Sequence, residues 1–367
     1  MNWQNNERGI FMIYKINMLS QAAKVKGQGV LSAYEEQVSL VKEELNEKFI
    51  VVENKWPDAD ITHYHTVNLR YFLSIPFAKR NGVTVGYVHF LPETVDTSLQ
   101  LPKICKKVFY KYLIWFYKSM DYLVTVNPYF IERLGAYGVD TDKVTYIPNY
   151  VSDTQFFPIE EENKQNLREK YGLDKDKFTV LCAGQLQTRK GIFDFIEIAR
   201  QMPHMQFVWA GGFSFGKMTD GYKEIKEVVD NPPPNLKFLG IMDRELMNEI
   251  YNLGDVMFLP SFEELFPMTI LEAMNCRTPI LLRDIDIYKN ILFDFYVKGN
   301  NVEEFKVLLE RLASDETFYK MAVDKAWEGH LFYHRDHVSQ MWDAFYTEVA
   351  PKAKPFKLKA LLNRFGG

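Results

Sequence analysis

Two glutamates close together in the chain, Glu264 and Glu272, offer the most specific chemistry in the sequence. A strand is predicted to end at Pro260 and a helix to begin near Thr269. Glu264 then lies in the intervening loop, and Glu272 lies inside the helix. Carboxylates accept hydrogen bonds from paired hydroxyls such as those of a sugar, and the amides at a helix N-terminus attract phosphate. The stretch can therefore hold a sugar and a phosphate, or it is a solvated acidic loop before an ordinary helix.

A basic turn between glycines, Gly184–Gly191, follows the predicted strand Phe178–Ala183. Its adjacent cations, Arg189 and Lys190, stand where a strand passes into a helix, and this arrangement suits a diphosphate. The turn is not a P-loop, because the glycine spacing and the trailing Ser or Thr of that motif are absent. A basic surface turn closed by a capping glycine explains the same residues without a ligand.

A glycine-containing loop, Lys26–Ser32, superficially matches a dinucleotide-binding fingerprint. Its glycines, Gly27 and Gly29, come too late after the predicted strand end at Leu19 for the tight first turn of such a site. A flexible loop that lets the backbone approach a ligand fits these residues better.

Three histidines, His63, His65 and His89, lie at or near predicted strand ends in the first half of the chain. In parallel α/β sheets this is the edge where ligands bind. An imidazole there can hydrogen-bond a sugar hydroxyl or polarise a reacting group. We interpret His89 as functional, and His63 and His65 as structural histidines.

The segment Lys103–Met120 combines lysines and aromatic residues and contains no acid. On a helix its lysines fall within an arc of about 140°. A basic face beside an aromatic face is typical of a helix that lies on an anionic bilayer, and the tail Pro351–Gly367 repeats the pattern. A domain helix with a solvated lysine face is the alternative. The predicted membrane-facing residues are Lys103, Lys106, Lys107, Lys111, Trp115 and Lys118.

The elements that position these residues alternate between short apolar strands and helices in both halves of the chain. Such alternation predicts βαβ units and parallel sheets. The charge-rich segment Pro158–Lys177 interrupts the pattern. We therefore predict an α/β protein of two Rossmann-like domains, residues 1–157 and 158–335, that face each other across a cleft. Because ligands bind beyond the carboxyl ends of parallel strands, the cleft is the expected site.

The composition excludes several function classes. The chain has 367 residues, of which 47% are hydrophobic and 25% charged, as in ordinary soluble globular proteins. A formal net charge of −4 gives no support to nucleic-acid binding. The three cysteines are far apart and predict a reducing, cytoplasmic environment. No apolar run approaches the ~18–20 residues that span a bilayer, so we expect any membrane contact at the cytoplasmic surface.

Together and in this order, the stretches resemble the retaining family-4 glycosyltransferases of the GT-B fold over roughly residues 13 to 346. The resemblance implies that Glu264 contacts the donor hexose and that Glu272 contacts the nucleotide ribose. It also implies that residues 336–367 contain a helix that returns to the first domain, followed by the basic tail.

The same resemblance implies the remaining site residues. His89 stands near the donor sugar in this comparison, and Lys190 holds the donor diphosphate opposite the glycine loop. Gln185 replaces the usual arginine, and Arg189 is placed to compensate for the lost charge. The predicted catalytic residues are Glu264, His89 and Lys190, and the predicted nucleotide-sugar contacts are Gly27, Gly29, Gln185, Arg189, Lys190, Glu264, Phe266, Pro267, Met268, Thr269 and Glu272.

The implied reaction is hexosyl transfer from a UDP-sugar with retention, for which we expect neither a cofactor nor a metal ion. Three segments are similar to bacterial enzymes that add a second hexose to glucosyl-diacylglycerol, namely Lys24–Tyr34, Gly86–Thr94 and Phe266–Met274. The implied acceptor is a glycolipid at an anionic membrane surface. The alternatives are a polysaccharide or teichoic-acid acceptor, a non-hydrolysing epimerase of related fold, and a non-catalytic membrane-bound partner.

Overall fold

The computed structural model describes residues 3–6, 9–22, 29–92, 103–214, 216, 219–264 and 266–353. Within these residues the chain folds into two halves, each built on a six-stranded parallel sheet. This confirms the predicted α/β class and the two Rossmann-like sheets. Gly27 and the basic tail beyond residue 353 lie outside the described residues.

The first sheet has the strand order β4-β3-β5-β6-β7-β8. All six residues of β6 are buried, as expected for a parallel strand covered on both faces. The strands are β3 (Tyr14–Leu19), β4 (Phe49–Glu53), β5 (Ile61–Tyr64), β6 (Val83–Val88), β7 (Tyr122–Thr125) and β8 (Val144–Tyr146), and the helices are α1 (Gly29–Glu44), α2 (Leu69–Asn81), α3 (Lys103–Lys118) and α4 (Tyr129–Ala136).

The second sheet has the strand order β11-β10-β9-β12-β13-β14. Its central strands β9 and β12 are adjacent, and every residue of both is buried. The strands are β9 (Thr179–Ala183), β10 (Gln206–Ala210), β11 (Leu236–Gly240), β12 (Val256–Leu259), β13 (Ile280–Arg283) and β14 (Val297–Gly299). The helices are α5 (Glu161–Lys170), α6 (Ile192–Gln201), α7 (Tyr222–Asp230), α8 (Met247–Leu253), α9 (Met268–Asn275), α10 (Asp286–Lys289), α11 (Val302–Ser314) and α12 (Glu316–Phe332).

The last long helix, α13 (Arg335–Val349), returns to the first half, as the resemblance implied. It packs against α1, and its residues Trp342 and Tyr346 are almost completely buried. The Tyr346 hydroxyl accepts a hydrogen bond from Gln37 on α1 and lies 2.9 Å from His63 Nδ1 on β5. The first half is therefore completed by a segment that follows the second half in sequence.

The domain limits at residues 157 and 335 remain predictions. The first falls between β8 and α5, and the second coincides with the start of α13. The antiparallel hairpin of β1 (Trp3–Asn6) and β2 (Gly9–Met12) was not predicted. Among the described helices, none has the length and apolarity needed to cross a membrane.

Candidate functional site

The basic turn and the acidic loop meet because they follow adjacent strands. Lys190 follows β9 and Glu264 follows β12, so both side chains lie at the same edge of the second sheet. Lys190 Nζ lies 2.5 Å from Glu264 Oε1, and both residues are buried. Gly191 has a φ of 71°, and a Cβ there would lie 2.2 Å from the Pro260 carbonyl oxygen. The close approach of the two segments therefore requires glycine at this position.

Arg189 ties the same two segments together through its backbone and its side chain. Its carbonyl accepts a hydrogen bond from the Phe262 amide at 2.8 Å, and its guanidinium donates to the Glu263 carbonyl at 3.1 Å. Lys190 and Arg189 thus place two positive charges beside one buried carboxylate. Burial lowers the pKa of Lys190; the Glu264 carboxylate opposes this effect and the Arg189 charge adds to it.

Several polar atoms around this pair are buried and have no hydrogen-bond partner among the described residues. They include Ser261 Oγ, Arg189 Nε and the Tyr288 hydroxyl. Burial, followed by the nearby Glu264 charge, raises the pKa of Tyr288. Unpaired buried polar groups are costly, and a polar ligand between these segments offers partners for them. The site therefore fits a ligand with phosphate and hydroxyl groups.

Glu272 is also buried, but it lies in a separate network. It accepts hydrogen bonds from the Tyr251 hydroxyl at 2.5 Å and from Arg244 at 3.0 Å. The other end of the Arg244 guanidinium donates to Glu36 on α1 at 2.8 Å. Burial raises the pKa of Glu36, and Arg244 opposes this shift. The triad of Glu36, Arg244 and Glu272 therefore links the first half of the protein to the residue predicted to hold ribose.

The other predicted nucleotide-sugar contacts surround these two carboxylates. The Gln185 side chain accepts a hydrogen bond from Gln187 at 2.8 Å. Phe266 is buried, and its ring lies 5.3 Å from that of Tyr333. Pro267, Met268 and Thr269 lie at the start of α9, where amides have no acceptor within the helix, and Gly29 is the first residue of α1.

His89 belongs to a stack of buried aromatic rings in the first half. Its ring lies 4.2 Å from that of Tyr87, and the Tyr87 ring lies 5.2 Å from that of His65. Burial lowers the pKa of His89 to about 3 and that of His63 also to about 3. His89 Nε2 is buried without a partner among the described residues, so it can donate to or accept from a ligand. His63 and His65 are core residues of this stack.

Sequence reasoning did not single out Arg244, Tyr251, Glu36 or Tyr288. Arg244 follows β11 at the carboxyl edge of the second sheet, where ligands of such sheets bind. This position could have indicated it. Glu36 could not have been found in the same way, because its role depends on how the two halves face each other.

Comparison with known proteins agrees with this architecture. Residues 163–328 match the family described as "Glycosyl transferases group 1", and residues 46–155 match "Glycosyltransferase Family 4". The chain is 46% identical over 336 residues to the alpha-galactosylglucosyldiacylglycerol synthase of Streptococcus pneumoniae, covering 92% of this chain and 90% of that protein. It is 28% identical to the processive diacylglycerol alpha-glucosyltransferase of Acholeplasma laidlawii, covering 73% and 81% of the two chains.

Solved structures show the same fold at low sequence identity. HepE from Anabaena, in complex with UDP-glucose, superposes with a TM-score of 0.73 at 14% identity, covering 91% of this chain and all of that one. Sucrose-phosphate synthase from Thermosynechococcus elongatus gives 0.72 at 16% identity, covering 91% and 98%. The two parallel sheets, the returning helix and the sequence matches together show that the chain belongs to the family-4 glycosyltransferases of the GT-B fold.

Proposed function

We propose that the enzyme transfers glucose or galactose from a UDP-sugar to glucosyl-diacylglycerol, giving a dihexosyl lipid. The observation that carries the proposal is the buried Lys190–Glu264 pair at the edge of the second sheet, with unpaired polar atoms around it. The 46% identity to a protein named alpha-galactosylglucosyldiacylglycerol synthase supports the acceptor.

In this proposal Lys190, Arg189 and the first amides of α9 bind the donor diphosphate. Glu264 accepts hydrogen bonds from hexose hydroxyls, and Glu272 accepts them from the ribose. The C1–O bond to the diphosphate breaks, and a C1–O bond to the acceptor hydroxyl forms on the same face of the sugar. The acceptor proton passes to the departing phosphate oxygen. Fixed charges around the leaving group supply the main stabilisation of the transition state.

The surface of α2 and α3 supports an anionic membrane as the source of the acceptor. The ring centroids of Phe72 on α2 and Trp115 on α3 are 4.5 Å apart, so the two helices form one surface. Lysines 107, 111 and 118 of α3 are exposed there. Large apolar side chains between 44% and 79% exposed lie on the same helices or beside them, namely Trp56, Leu69, Leu73, Phe77, Ile104, Val108 and Trp115.

The exposed apolar surface extends beyond the helix on which the sequence predicted membrane contact. One side of α3 packs into the first half, where Leu113 and Phe116 are buried. Trp115, one of the predicted membrane-facing residues, is exposed, Val108 is exposed as well, and α2 adds further apolar side chains. Basic residues beside exposed apolar residues are typical of helices that lie in a membrane interface. We infer that this face binds the inner face of the cell membrane.

The proposal is tested by incubating the full chain with UDP-glucose or UDP-galactose and glucosyl-diacylglycerol in anionic vesicles. We expect a dihexosyl lipid with one donor, detected by mass spectrometry, and no product from Glu264→Ala. Glu263→Ala is the matched control, because Glu263 is exposed in the same loop and only its carbonyl contacts Arg189. This variant should keep full activity.

The alternatives predict different results. Absence of product with either donor, while UDP still binds, contradicts glycolipid transfer. Product on a polysaccharide or teichoic-acid acceptor would then identify the same chemistry on another substrate. UDP binding without turnover on any acceptor would support a non-catalytic partner. Gln185, which stands in place of the usual arginine, is the residue that favours this alternative.

A further inference from the structure

Three side chains with metal-binding atoms meet where the chain crosses between the two halves. Asp153 lies in the segment that leads from the first half to the second, His330 lies near the end of α12, and His334 immediately precedes α13. One ligand atom from each lies within 4.8 Å of those of the other two. These residues are far apart in the sequence, so spacing gave no signal of a shared site.

We propose that Asp153, His330 and His334 form a binding site for a zinc-class divalent transition metal ion. Two imidazoles and one carboxylate are a donor set that such ions prefer. The ligand atoms of a tetrahedral zinc site lie roughly 3.3 Å apart at Zn–N distances near 2.0–2.1 Å. Separations up to 4.8 Å therefore need only small side-chain rotations, with water in the fourth position.

His330 is oriented for this role by Asn275. The Asn275 side-chain amide nitrogen donates to the Val151 carbonyl at 3.2 Å, which turns its oxygen towards His330 Nδ1 at 2.7 Å. Nδ1 must therefore carry the proton, and Nε2 keeps the lone pair that a metal requires.

His334 has acceptors on both sides of its ring. Its Nε2 lies 2.9 Å from Asp153 Oδ2, and its Nδ1 accepts a hydrogen bond from the Asp336 amide, so in this structure the ring proton is on Nε2 and points to Asp153. The Asp336 carboxylate lies 3.6 Å from the same Nδ1. A metal at Nε2 requires the proton on Nδ1, so the bond from the Asp336 amide is lost and Nδ1 donates to the Asp336 carboxylate instead. A carboxylate behind a metal-binding imidazole is a common supporting arrangement.

The charges that face the cluster are Asp153 and Asp336, which favour a cation, and Arg277, which opposes one. Arg277 stacks on Trp327 at 3.9 Å from the ring centroid. Trp327 in turn stacks on His330, with ring centroids 4.3 Å apart. Trp327 is therefore a built-in fluorescent reporter of an ion at this position.

The first measurement is equilibrium dialysis of the untagged full chain against zinc chloride, followed by metal analysis. We expect one zinc ion per chain. The emission of Trp327 is the difference between the tryptophan emission of the parent protein and that of Trp327→Phe. Addition of Ni²⁺ should quench this emission, and excess Zn²⁺ should displace the Ni²⁺ and restore it. Absence of bound zinc would overturn the proposal.

Variants assign the site. His334→Ala and Asp153→Asn should each weaken zinc binding by more than roughly tenfold. The matched control is His204→Ala, because His204 Nε2 lies 2.9 Å from Glu310 in an exposed pair that lacks a third ligand in the described residues. Asp153 is exposed, so Asp153→Asn should keep the unfolding temperature of the parent. Unchanged zinc affinity in both site variants, or a loss of zinc affinity in His204→Ala, would contradict the assignment of these residues as zinc ligands.

Discussion

Lys190 carries its positive charge inside the protein, beside the Glu264 carboxylate. This arrangement holds a cation ready for a diphosphate without the mobility of a surface lysine. It also makes the cation sensitive to pH, because burial favours the neutral amine.

We expect kcat/KM for the donor to fall with rising pH. The fall should occur at a lower pH than the titration of an ordinary lysine, which has a pKa of about 10.4. The pKa of Lys190 is lowered, so the free enzyme loses this proton, and the charge that binds diphosphate, at a lower pH. In Lys190→Arg the guanidinium stays protonated, so the alkaline decline should move to higher pH. Measured pH profiles with the same decline in both enzymes would contradict this assignment.

The buried histidines make the fold sensitive to acid. The pKa values of His63 and His89 are lowered to about 3, and that of His65 is also lowered, because burial disfavours the charged ring. The unfolded chain binds these protons near pH 6.5, while the folded chain does not. Stability is therefore present above about pH 6.5 and is lost as the pH falls towards 3.

As the pH falls within that window, each of these histidines should lower the free energy of unfolding by about 1.4 kcal/mol per pH unit. Urea unfolding at several pH values between 7 and 5 measures the slope. His89→Gln should reduce the slope by one such increment, whereas Tyr87→Phe, which keeps the ring stacked on His89 and removes no imidazole, should leave it unchanged. Equal slopes in all three proteins would show that His89 does not resist protonation.

At the scale of elements, the surface of α2 and α3 should control membrane binding. A lysine near an anionic surface contributes about 1 kcal/mol, so Lys107→Glu/Lys111→Glu should weaken vesicle binding by at least about 2 kcal/mol, roughly 30-fold. Cosedimentation with anionic vesicles at two salt concentrations measures this. Lys320→Glu is the control, since Lys320 is highly exposed on α12 in the second half.

The apolar part of the surface has its own control. Trp115→Ser should weaken binding at both salt concentrations, because burial of apolar area is not screened by salt. Leu331→Ser replaces a comparably exposed apolar side chain on α12 and should have no effect. If Leu331→Ser and Trp115→Ser weaken binding equally, the membrane does not select this face.

Most elements were predictable because apolar runs of strand length alternate with helical spacing. The predicted strand Phe178–Ala183 ends where β9 ends and begins one residue before it, and the helix predicted to begin near Thr269 begins at Met268. Lys190 and Glu264 could also be placed together, because each follows a strand of one parallel sheet. The short edge strands β8 and β14 were not predicted, since three residues carry too little periodicity to distinguish a strand from a loop.

At the scale of the whole molecule, α13 should be essential to the first half. Trp342 is 1% exposed and lies 5.7 Å from His63 and 6.0 Å from Tyr87, ring centroid to ring centroid. Trp342→Ala should therefore lower the free energy of unfolding by about 3–5 kcal/mol, the usual loss when a buried aromatic side chain leaves a cavity. Urea unfolding followed by circular dichroism measures the change.

Trp56→Ala is the control for this variant. Trp56 is 65% exposed, so its removal should change the free energy of unfolding by no more than about 0.5 kcal/mol. Comparable losses in the two variants would mean that α13 adds little to the core.

Contacts between the halves were beyond reach of sequence reasoning. The triad of Glu36, Arg244 and Glu272 and the cluster at Asp153 each join segments whose approach depends on the orientation of one sheet against the other. Periodicity predicts which face of an element is buried. It does not predict which distant element covers that face.

The return of α13 has a consequence for the order of synthesis. The ribosome completes every strand of the first sheet, and then the entire second half, before it makes Trp342 and Tyr346. Until then, the ring stack around His63 lacks the helix that covers it. The second half can therefore reach its final packing on the growing chain, while the side chains of the first half that pack against α13 are still uncovered. Newly made protein should be most vulnerable to proteases and most dependent on chaperones during this interval.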